Sequence, residues 1–357
     1  MKIFIDINHP AHVHYFRNFI KIMESKGHNF VITNRNEKII NVLLDYYNIK
    51  HKIRNIRPKK KSYFKSIIYL LKTKLNNIIV CIQEKPDFYI SESIVGFLFN
   101  KPALEIEDTE HNSLSQKLYL PFCSSVLTPF YFYKNLGEKQ LYFNAFLEQL
   151  YLHKNYFHID DSIYKDLNLE DNSNYAFLRY TSFDANHDHK VIPLSWEVKK
   201  KIVKELSMFM PVFISFEKEI EDTYLTQFSI HISPEKIHSV IANASIFISE
   251  GATMACEAGL LGVPYIYINP LQKVGNIMEQ VKMFPQIAHS TLKESDIFEI
   301  INKLKSHIFS IKEKNNLRLK WDDKTIDLTA FLVWFIENYP KSSEIIKKNP
   351  EYQYNFK

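Results

Sequence analysis

The chain has 357 residues, of which 46% are hydrophobic and 24% charged, and its formal net charge is +5. This composition is typical of a folded globular protein of one or two domains, and the small net charge argues against a nucleic-acid partner. The three cysteines lie in apolar runs, as in a reduced cytoplasmic protein, and no stretch approaches the roughly 20 apolar residues of a membrane span.

The first predicted element is a short buried strand, KIFIDI at 2–7. An Asn8–His12 loop, a helix ending at Gly27 and a second strand at 29–33 follow it. This βαβ order puts the loop at the carboxyl end of the first strand, where doubly wound sheets bind ligands. A histidine at a helix N-terminus tends to stay neutral, so His12 is a candidate catalytic base; a merely structural or solvated histidine is the alternative.

The stretch 57–82 combines a basic cluster, RPKKKSYFK, with an apolar stripe at helical spacing. The stripe consists of Phe64, Ile67, Ile68, Leu71, Leu75, Ile78, Ile79 and Ile82. A basic edge beside such a stripe can rest on an anionic membrane surface, which would put the protein at the inner face of the cell membrane. We favour the simpler interpretation that the stripe packs into the core of a βαβ domain, with the membrane contact as the alternative.

Acidic residues follow the next strands. A strand at 87–91 ends at Glu92, and the strand KPALEI runs into a segment with several ionisable side chains: Glu105, Glu107, Asp108, Glu110 and His111. Burying so many charges at a strand end is costly without a function, so the last four are candidate catalytic residues. A metal site is the weaker interpretation, and we predict none. A strand at 124–129 completes a first α/β domain over residues 1–165.

The strand-and-helix pattern restarts at Tyr175. It predicts the strand YAFLRY, a helix at 195–209, the strands PVFISF and SIHIS, and a helix at 234–243. These elements, with the segment described next, predict a second α/β domain over residues 170–322. A C-terminal helix and a polar, loose tail are expected over 323–357.

The segment 245–270, SIFISEGATMACEAGLLGVPYIYINP, predicts a strand, a tight turn, a helix and a strand. Four of the seven glycines of the chain lie in this segment or just after it: Gly251, Gly259, Gly262 and Gly275. We therefore expect backbone positions at which a Cβ would not fit. At Gly251 the strand leads into a helix whose free amides can bind a phosphate. Glu257 lies about 9 Å further along that helix, where it can accept hydrogen bonds from sugar hydroxyls; an ordinary crossover helix is the alternative.

These features together resemble the GT-B glycosyltransferases and, most closely, the family catalogued as domain of unknown function 354. The opening MKIFIDINHPAHVHYFRNFIKIMESKGH, the DTEH segment at 108–111 and the motif ISEGATMACEAGLLGVPYIYINP carry the resemblance. The peptidoglycan UDP-N-acetylglucosamine transferase and UDP-GlcNAc 2-epimerase are more distantly similar. The resemblance implies two Rossmann-like, doubly wound domains that face each other across a cleft. The first glycine of the family's G-G-T pattern is Glu250 here.

The resemblance also implies roles for residues. The turn that meets the donor diphosphate is formed by Glu250, Gly251, Ala252 and Thr253. Glu257 would hold the nucleotide ribose, and His12 would face the transferred sugar. Arg179, at the end of YAFLRY, could neutralise the leaving diphosphate, or else is a surface ion-pair residue.

Three hypotheses follow. The first is a metal-independent, cofactor-free glycosyltransferase that moves a sugar from a nucleotide-sugar donor, UDP-linked by resemblance, to a glycan or lipid-linked acceptor in surface polysaccharide synthesis. The acceptor would lose its proton to His12 or to a carboxylate of the 107–110 cluster. The second is a non-hydrolysing UDP-sugar 2-epimerase, in which the acids at 92, 105, 107 and 110 move the proton. The third is a non-catalytic nucleotide-sugar binding protein.

Overall fold

The computed structural model describes residues 1–54, 63–181, 194–218, 220–271 and 273–357, and for 63–67 it describes the backbone alone. The chain forms two compact units. Unit 1 comprises Met1–Tyr156 and Thr325–Lys357, and unit 2 comprises Phe157–Lys324. Each unit is built around one parallel sheet with helices packed on it, so the predicted α/β class is confirmed.

Unit 1 begins with seven strands and six helices in the described part of the chain. The strands are β1 (Lys2–Ile7), β2 (Asn29–Asn34), β3 (Lys52–Ile53), β4 (Phe88–Ile90), β5 (Ala103–Ile106), β6 (Ser125–Pro129) and β7 (Gln140–Phe143). The helices are α1 (Pro10–Ser25), α2 (Lys38–Tyr46), α3 (Tyr63–Glu84), α4 (Ser93–Leu98), α5 (Ser113–Tyr119) and α6 (Gln149–Leu152). The strand order is β3-β2-β1-β4-β5-β6-β7, with all pairs parallel.

The direction of the strand order in unit 1 reverses between β1 and β4. A reversal of this kind opens a crevice at the carboxyl ends of the two strands, the usual ligand position in doubly wound sheets. Residues 2–7 pair in register with residues 29–34, and Ile5 lies opposite Ile90. Five of the six residues of β1 are buried, as expected for a central strand covered by helices on both faces.

Unit 2 contains the remaining strands and the helices before the C-terminal segment. The strands are β8 (Ala176–Tyr180), β9 (Val212–Phe216), β10 (Ile246–Ser249), β11 (Tyr265–Tyr267) and β12 (Ala288–Ser290). The helices are α7 (Ile163–Asp166), α8 (Trp196–Ser207), α9 (Thr223–Thr226), α10 (Ile237–Asn243), α11 (Ala252–Leu260), α12 (Gly275–Met283), α13 (Glu294–Ser306) and α14 (Ile311–Lys324). The parallel sheet has the order β12-β11-β10-β8-β9 and reverses between β8 and β10.

The strand predicted at SIHIS is not formed. Only Ser229 of this segment makes an isolated parallel bridge, to Ile214, while β9 is otherwise the sheet edge. The alternation of apolar and polar residues in SIHIS is typical of a strand, but in the structure this segment is a short connector. In the sequence-based division, residues 157–165 belong to the first domain, whereas in the structure they are part of unit 2.

The C-terminal segment packs on unit 1 as α15 (Leu328–Glu337), α16 (Lys341–Lys348) and a final 3-10 helix over residues 350–356. The expectation of a loose tail is therefore wrong. The physical reason is a set of long-range contacts: the amide of Asn144 donates to Gln353 Oε1 at 2.7 Å, and Tyr352 stacks on Trp334 with ring centroids 4.9 Å apart.

Helix α3 packs with the opposite orientation to the favoured prediction. Its inward face carries Thr73, Asn77 and Cys81, all buried. Most of the apolar stripe points outward, with exposed fractions of 65% for Leu71, 57% for Leu75, 45% for Ile79 and 58% for Ile82. Ile78 instead packs against the core, as predicted. Of the predicted stripe, Phe64 and Ile67 lie outside the described side chains. Among the described helices, none is both long enough and apolar enough to cross a membrane.

The polar face of α3 turns inward because two charged groups at the carboxyl edge of the sheet need partners. Arg54 Nη1 donates to the Tyr69 hydroxyl at 3.0 Å and lies 3.5 Å from Thr73 Oγ1. Asn77 Nδ2 donates to Glu92 Oε2 at 2.8 Å. A buried charge without hydrogen bonds would cost several kcal/mol, and the inward polar face of α3 avoids that cost for both groups.

Candidate active site

The candidate phosphate site of unit 2 is the turn between β10 and α11. The amide of Gly251 donates to Ser249 Oγ at 2.9 Å, which fixes the turn. Gly251 is the N-cap of α11 and has no side chain, and nowhere in the described ranges does another side chain bind the amides of Ala252 and Thr253. These residues are half-exposed. The first turn of this nine-residue helix therefore lies on half-exposed residues and has no side-chain cap, an arrangement suited to an anion.

The reason we expected for Gly251 is wrong. Its φ is −97°, and an added Cβ would meet only ordinary contacts, at 3.6 Å from Ser249 Oγ and 3.7 Å from Thr181 Cγ2. The expectation holds at two neighbours instead. A Cβ at Gly259 would lie 1.9 Å from Gln280 Oε1, and one at Gly262, where φ is +75°, would lie 2.1 Å from the Lys314 carbonyl oxygen. Gly259 therefore serves packing, and Gly262 serves packing and the helix C-terminus.

Glu250 turns its side chain away from the turn and into unit 2. Lys199 Nζ lies 2.7 Å from Glu250 Oε1, and the amide of Thr181 donates to Oε2 at 2.9 Å. Both side chains are almost fully buried, and Lys199 also lies over the rings of Tyr180 and Trp196. Burial raises the pKa of Glu250, and Lys199 opposes that shift. Among the described non-glycine residues, those with positive φ do not include Glu250, so the backbone needs no glycine there.

Arg179 and Glu257 flank the candidate phosphate turn. Arg179 lies opposite Ser249 in the parallel register of β8 and β10, at the point where the strand order reverses. Its Nη1 donates to Ser215 Oγ at 2.6 Å. Burial lowers the pKa of Arg179, while Glu217 and Glu257 oppose that shift, which puts Glu257 within electrostatic reach of the guanidinium. Glu257 Oε1 lies 3.2 Å from His238 Nε2, and both side chains are buried.

In unit 1 the loop after β1 is held by a buried ion pair that the sequence did not reveal. Asp6 accepts from Arg54 Nε at 2.7 Å, from Thr33 Oγ1 at 2.8 Å and from Asn8 Nδ2 at 2.9 Å. Arg54 also donates to Asn8 Oδ1. A carboxylate inside a strand of Ile and Phe is the signal that could have found this pair, because an unpaired buried charge is not tolerated.

His12 lies in the first turn of α1, after the His9 N-cap. Burial and the neighbouring His9 lower the pKa of His12 to about 4. The imidazole is therefore neutral near pH 7, as its position in the chain predicts, although burial is the main cause. Its Nδ1 faces the Asn8 amide at 3.5 Å, a geometry in which Nδ1 accepts and Nε2 carries the proton. A group with so low a pKa is a weak proton acceptor.

Two buried carboxylates follow β4 and β5. Glu92 is bound by Lys74 and Asn77, and burial raises its pKa against the opposing effect of Lys74. Glu105 Oε1 accepts from the Ser93 amide at 3.2 Å and from the Ser93 hydroxyl. Burial raises the pKa of Glu105 to about 7, and the charge of Glu92 adds to the shift. Glu92 is in turn within electrostatic reach of Asp6, so these acids form one group around the strand reversal.

The acidic segment after β5 divides by exposure. Glu107 Oε1 accepts from the Thr109 amide at 2.9 Å and Oε2 from the Tyr119 hydroxyl at 3.0 Å, and burial raises the pKa of Glu107 to about 7. Burial also raises the pKa of Asp108. Glu110 is buried, whereas His111 is exposed. Within the described residues, no group of three His, Cys, Asp or Glu side chains is arranged to hold a metal ion.

The structure thus groups the sequence-predicted residues within each unit. Unit 1 brings His12, Glu92 and Glu105 to the carboxyl ends of its central strands, with Glu107 directly after β5. Unit 2 brings Arg179 and Glu257 beside the turn at Gly251–Thr253. Sequence reasoning missed Asp6, Arg54, Lys199 and His238, each of which contacts a side chain far away in the chain.

Comparison with known proteins agrees with the fold. An uncharacterized protein, MJ0665, from Methanocaldococcus jannaschii is 24% identical over 333 residues, which cover 86% of this chain and 92% of the relative. The UDP-GlcNAc 2-epimerase from Neisseria meningitidis bound to UDP-GlcNAc superposes with a TM-score of 0.62 at 13% identity, covering 90% of this chain and 99% of that chain. The glycotransferase of kitacinnamycin superposes with a TM-score of 0.61 at 11% identity, covering 94% and 98%.

At such low identity these structures show the fold alone, and the predicted GT-B-type architecture of two Rossmann-like units is confirmed. The sequence profile of the family described as Protein of unknown function (DUF354) matches residues 1–338, nearly the whole length. The protein therefore belongs to the DUF354 family, as the opening strand, the DTEH segment and the glycine-containing turn predicted.

Proposed function

We propose that this protein is a glycosyltransferase that moves a sugar from a UDP-linked donor to a hydroxyl of a glycan or lipid-linked acceptor in surface polysaccharide synthesis. The observation that carries the proposal is the first turn of α11, which is half-exposed, has no side-chain cap, and follows the strand residue Ser249 that lies opposite Arg179. Helix N-terminal amides and a guanidinium together match the charge of a diphosphate, before and after it leaves. The UDP-GlcNAc in the similar Neisseria structure supports a nucleotide sugar as the ligand.

Glu257 is the proposed ribose ligand. Its carboxylate lies two turns along α11, and its contact with His238 fixes its rotamer. A carboxylate accepts hydrogen bonds from two vicinal hydroxyls, a geometry that a sugar diol offers and a phosphate does not. His238 is then a positioning residue for Glu257.

The proposed base is Glu107. Its pKa of about 7 allows it both to exist as carboxylate and to hold a proton near neutral pH, whereas His12, with a pKa of about 4, does so poorly. In the proposed step the acceptor O–H gives its proton to Glu107. The acceptor oxygen bonds to the anomeric carbon, and the bond from that carbon to the diphosphate oxygen breaks. The nucleoside diphosphate leaves with the electron pair, and the amides of α11 and Arg179 take up its charge.

The donor site is tested by calorimetry with UDP and UDP-GlcNAc. Glu257→Gln keeps the shape and the contact with His238 but removes the charge. We expect an affinity loss of about 10- to 100-fold, since hydrogen bonds to charged groups contribute about 1.5–3 kcal/mol. Glu299→Gln, an exposed glutamate in the same unit, is the matched control and should bind as wild type. Equal affinities of the two variants would remove Glu257 from the site.

Turnover is tested separately with lipid-linked and free glycan acceptors, by following release of nucleoside diphosphate. Glu107→Gln should lose release while still binding the donor. Binding of the donor with no release across a broad acceptor panel would instead favour a non-catalytic nucleotide-sugar binding protein.

A UDP-sugar 2-epimerase is the second candidate, favoured by the buried acids Glu92, Glu105 and Glu107. Inverting a carbon centre requires proton removal and return, and carboxyl groups with a pKa near 7 can do both. This reaction needs no acceptor. Incubation of the protein with UDP-GlcNAc in heavy water should then introduce deuterium at C2, and its absence alongside acceptor-dependent release of UDP would exclude the epimerase.

A further inference from the structure

An apolar surface on the outer side of unit 1 has no partner within the described part of the chain. The connections from β3 to β4, from β4 to β5 and from β5 to β6 all run in the same direction across the sheet. Right-handed crossovers therefore put α3, α4 and α5 on one face. We define the outer patch by the exposed side chains of these helices: Leu71, Leu75, Ile79, Ile82, Phe97, Leu98, Leu114 and Leu118.

The side chains of the outer patch are exposed enough to indicate a surface that binds a partner. Phe97 and Leu98 are about as exposed as the leucines of α3, and Leu114 is 75% exposed. Single exposed leucines are common. Three adjacent helices that all expose large apolar side chains, however, form a patch of the kind that marks an interaction site. The inward polar face of α3 excludes a simple rotation that would bury the stripe, since Asn77 and Thr73 would leave Glu92 and Arg54 without partners.

The described charged residues of α3, α4 and α5 are three lysines, Lys72, Lys74 and Lys117, and one acid, Glu84. In the sequence, residues 54–83 contain eight basic side chains and no acidic one; Arg57, Lys59, Lys60, Lys61 and the Lys65 side chain lie outside the described part of the chain, and the other three are Arg54, Lys72 and Lys74. Arg54 and Lys74 bind buried acids, whereas Lys72 is exposed on α3 itself. Helices α4 and α5 contain no acid, Lys117 is exposed on α5, and the one acid of α3, Glu84 at its last position, pairs with Lys2 and Lys52. Two copies of such a surface would repel each other, but an anionic surface would attract it.

We propose that the outer patch binds the surface of an anionic lipid bilayer, with Leu71, Leu75, Ile79 and Ile82 inserted among the lipid headgroups and Lys72 and Lys117 paired with lipid phosphates. A helix that lies in the interface needs an apolar face and flanking lysines, and α3 has both. The surface is independent of the reaction proposed above. It would bring a lipid-linked acceptor to the carboxyl edge of the unit 1 sheet, where α3 also holds Glu92.

The test is flotation of the full chain with phosphatidylcholine vesicles prepared with and without phosphatidylglycerol. We expect the protein to float with the anionic vesicles only, and the bound fraction to fall as salt is added. Leu75→Glu/Ile79→Glu should lower the partition coefficient about tenfold or more, and Lys72→Gln about fivefold. Met208→Glu is the matched control, because Met208 is 69% exposed on unit 2; it should bind as wild type.

These variants should fold, because the replaced side chains already lie in water, and unchanged circular dichroism and melting temperature check this. Equal vesicle binding by wild type and the double glutamate variant would overturn the proposal, as would no binding to anionic vesicles. Light scattering distinguishes membrane binding from the alternative, contact between two copies of the chain. A wild-type dimer that becomes a monomer in the double variant, without vesicle binding, would assign the outer patch to contact between copies.

Discussion

Replacing Lys199 by Met tests the buried pair beneath the candidate phosphate turn. Met keeps the apolar stem of the side chain but removes the ammonium group that binds Glu250 at 2.7 Å. The exposed fraction of the Glu250 side chain is 0%, so water cannot replace the lost partner. The Thr181 amide remains as a hydrogen-bond donor, but a carboxylate with one neutral donor is still an uncompensated buried charge.

The expected loss in the free energy of unfolding at pH 8 is about 3–5 kcal/mol, the usual cost of removing one member of a buried pair. The loss should depend on pH. Burial already raises the pKa of Glu250, and without Lys199 that pKa rises further, so the folded variant keeps its proton to a higher pH than the unfolded chain does. At pH 5 the free-energy cost of burying Glu250 in the variant is lower. The difference between variant and wild type in the free energy of unfolding should therefore shrink by about 1 kcal/mol or more.

Urea titrations followed by circular dichroism at pH 5 and pH 8 measure both quantities. Lys200→Met is the matched control on the same helix, because Lys200 forms only surface pairs with Glu197 and Asp222 and should cost at most about 1 kcal/mol. The double variant Lys199→Met/Glu250→Gln should regain most of the loss. A loss for Lys199→Met no larger than for Lys200→Met, or one that does not change with pH, would refute the reasoning.

Two further predictions concern stability. Glu105→Gln keeps the acceptor for Ser93 and should leave stability unchanged near pH 4, where the carboxyl is protonated in both states. At pH 8 the variant should have a free energy of unfolding about 3 kcal/mol higher than wild type. The reason is that wild type loses stability between pH 4.5 and about 7, where Glu105 ionises in the unfolded chain before it ionises in the folded one. Gly262→Ala should cost about 2–4 kcal/mol through its positive φ and the Lys314 carbonyl, while Gly251→Ala stays within about 1 kcal/mol of wild type. Urea titrations measure the free energy of unfolding of all these variants. A pH-independent Glu105→Gln effect, or equal losses in the two glycine variants, would contradict the predictions.

The order of strands and helices could be predicted because each central strand is a short, mostly apolar run. The segment from β10 to β11 was found almost residue for residue, with the helix end at Gly262 given by its left-handed conformation. The strand expected at SIHIS failed, since alternation alone does not supply a pairing partner. The loose tail failed because polar composition hides contacts such as that of Gln353 with Asn144.

The candidate site was only partly predictable. His12, Glu107 and the Gly251 turn could be predicted from the local sequence, because each lies in a polar segment that directly follows a strand. Asp6 with Arg54 and Lys199 with Glu250 are pairs separated by many residues, and a single sequence gives no distance between them. The orientation of α3 was unpredictable for the same reason, since its inward face is decided by Arg54 and Glu92, which belong to other elements.

Helix α3 connects its exposed side with an acid at the sheet edge. Lys74 and Asn77 hold Glu92 from the side of the helix opposite Leu75 and Ile79. One residue of rotation about the helix axis is about 100°, enough to carry Asn77 away from Glu92. The two sides of α3 are therefore linked, and a substitution on the exposed side that turned the helix would also remove hydrogen-bond partners from an acid at the sheet edge.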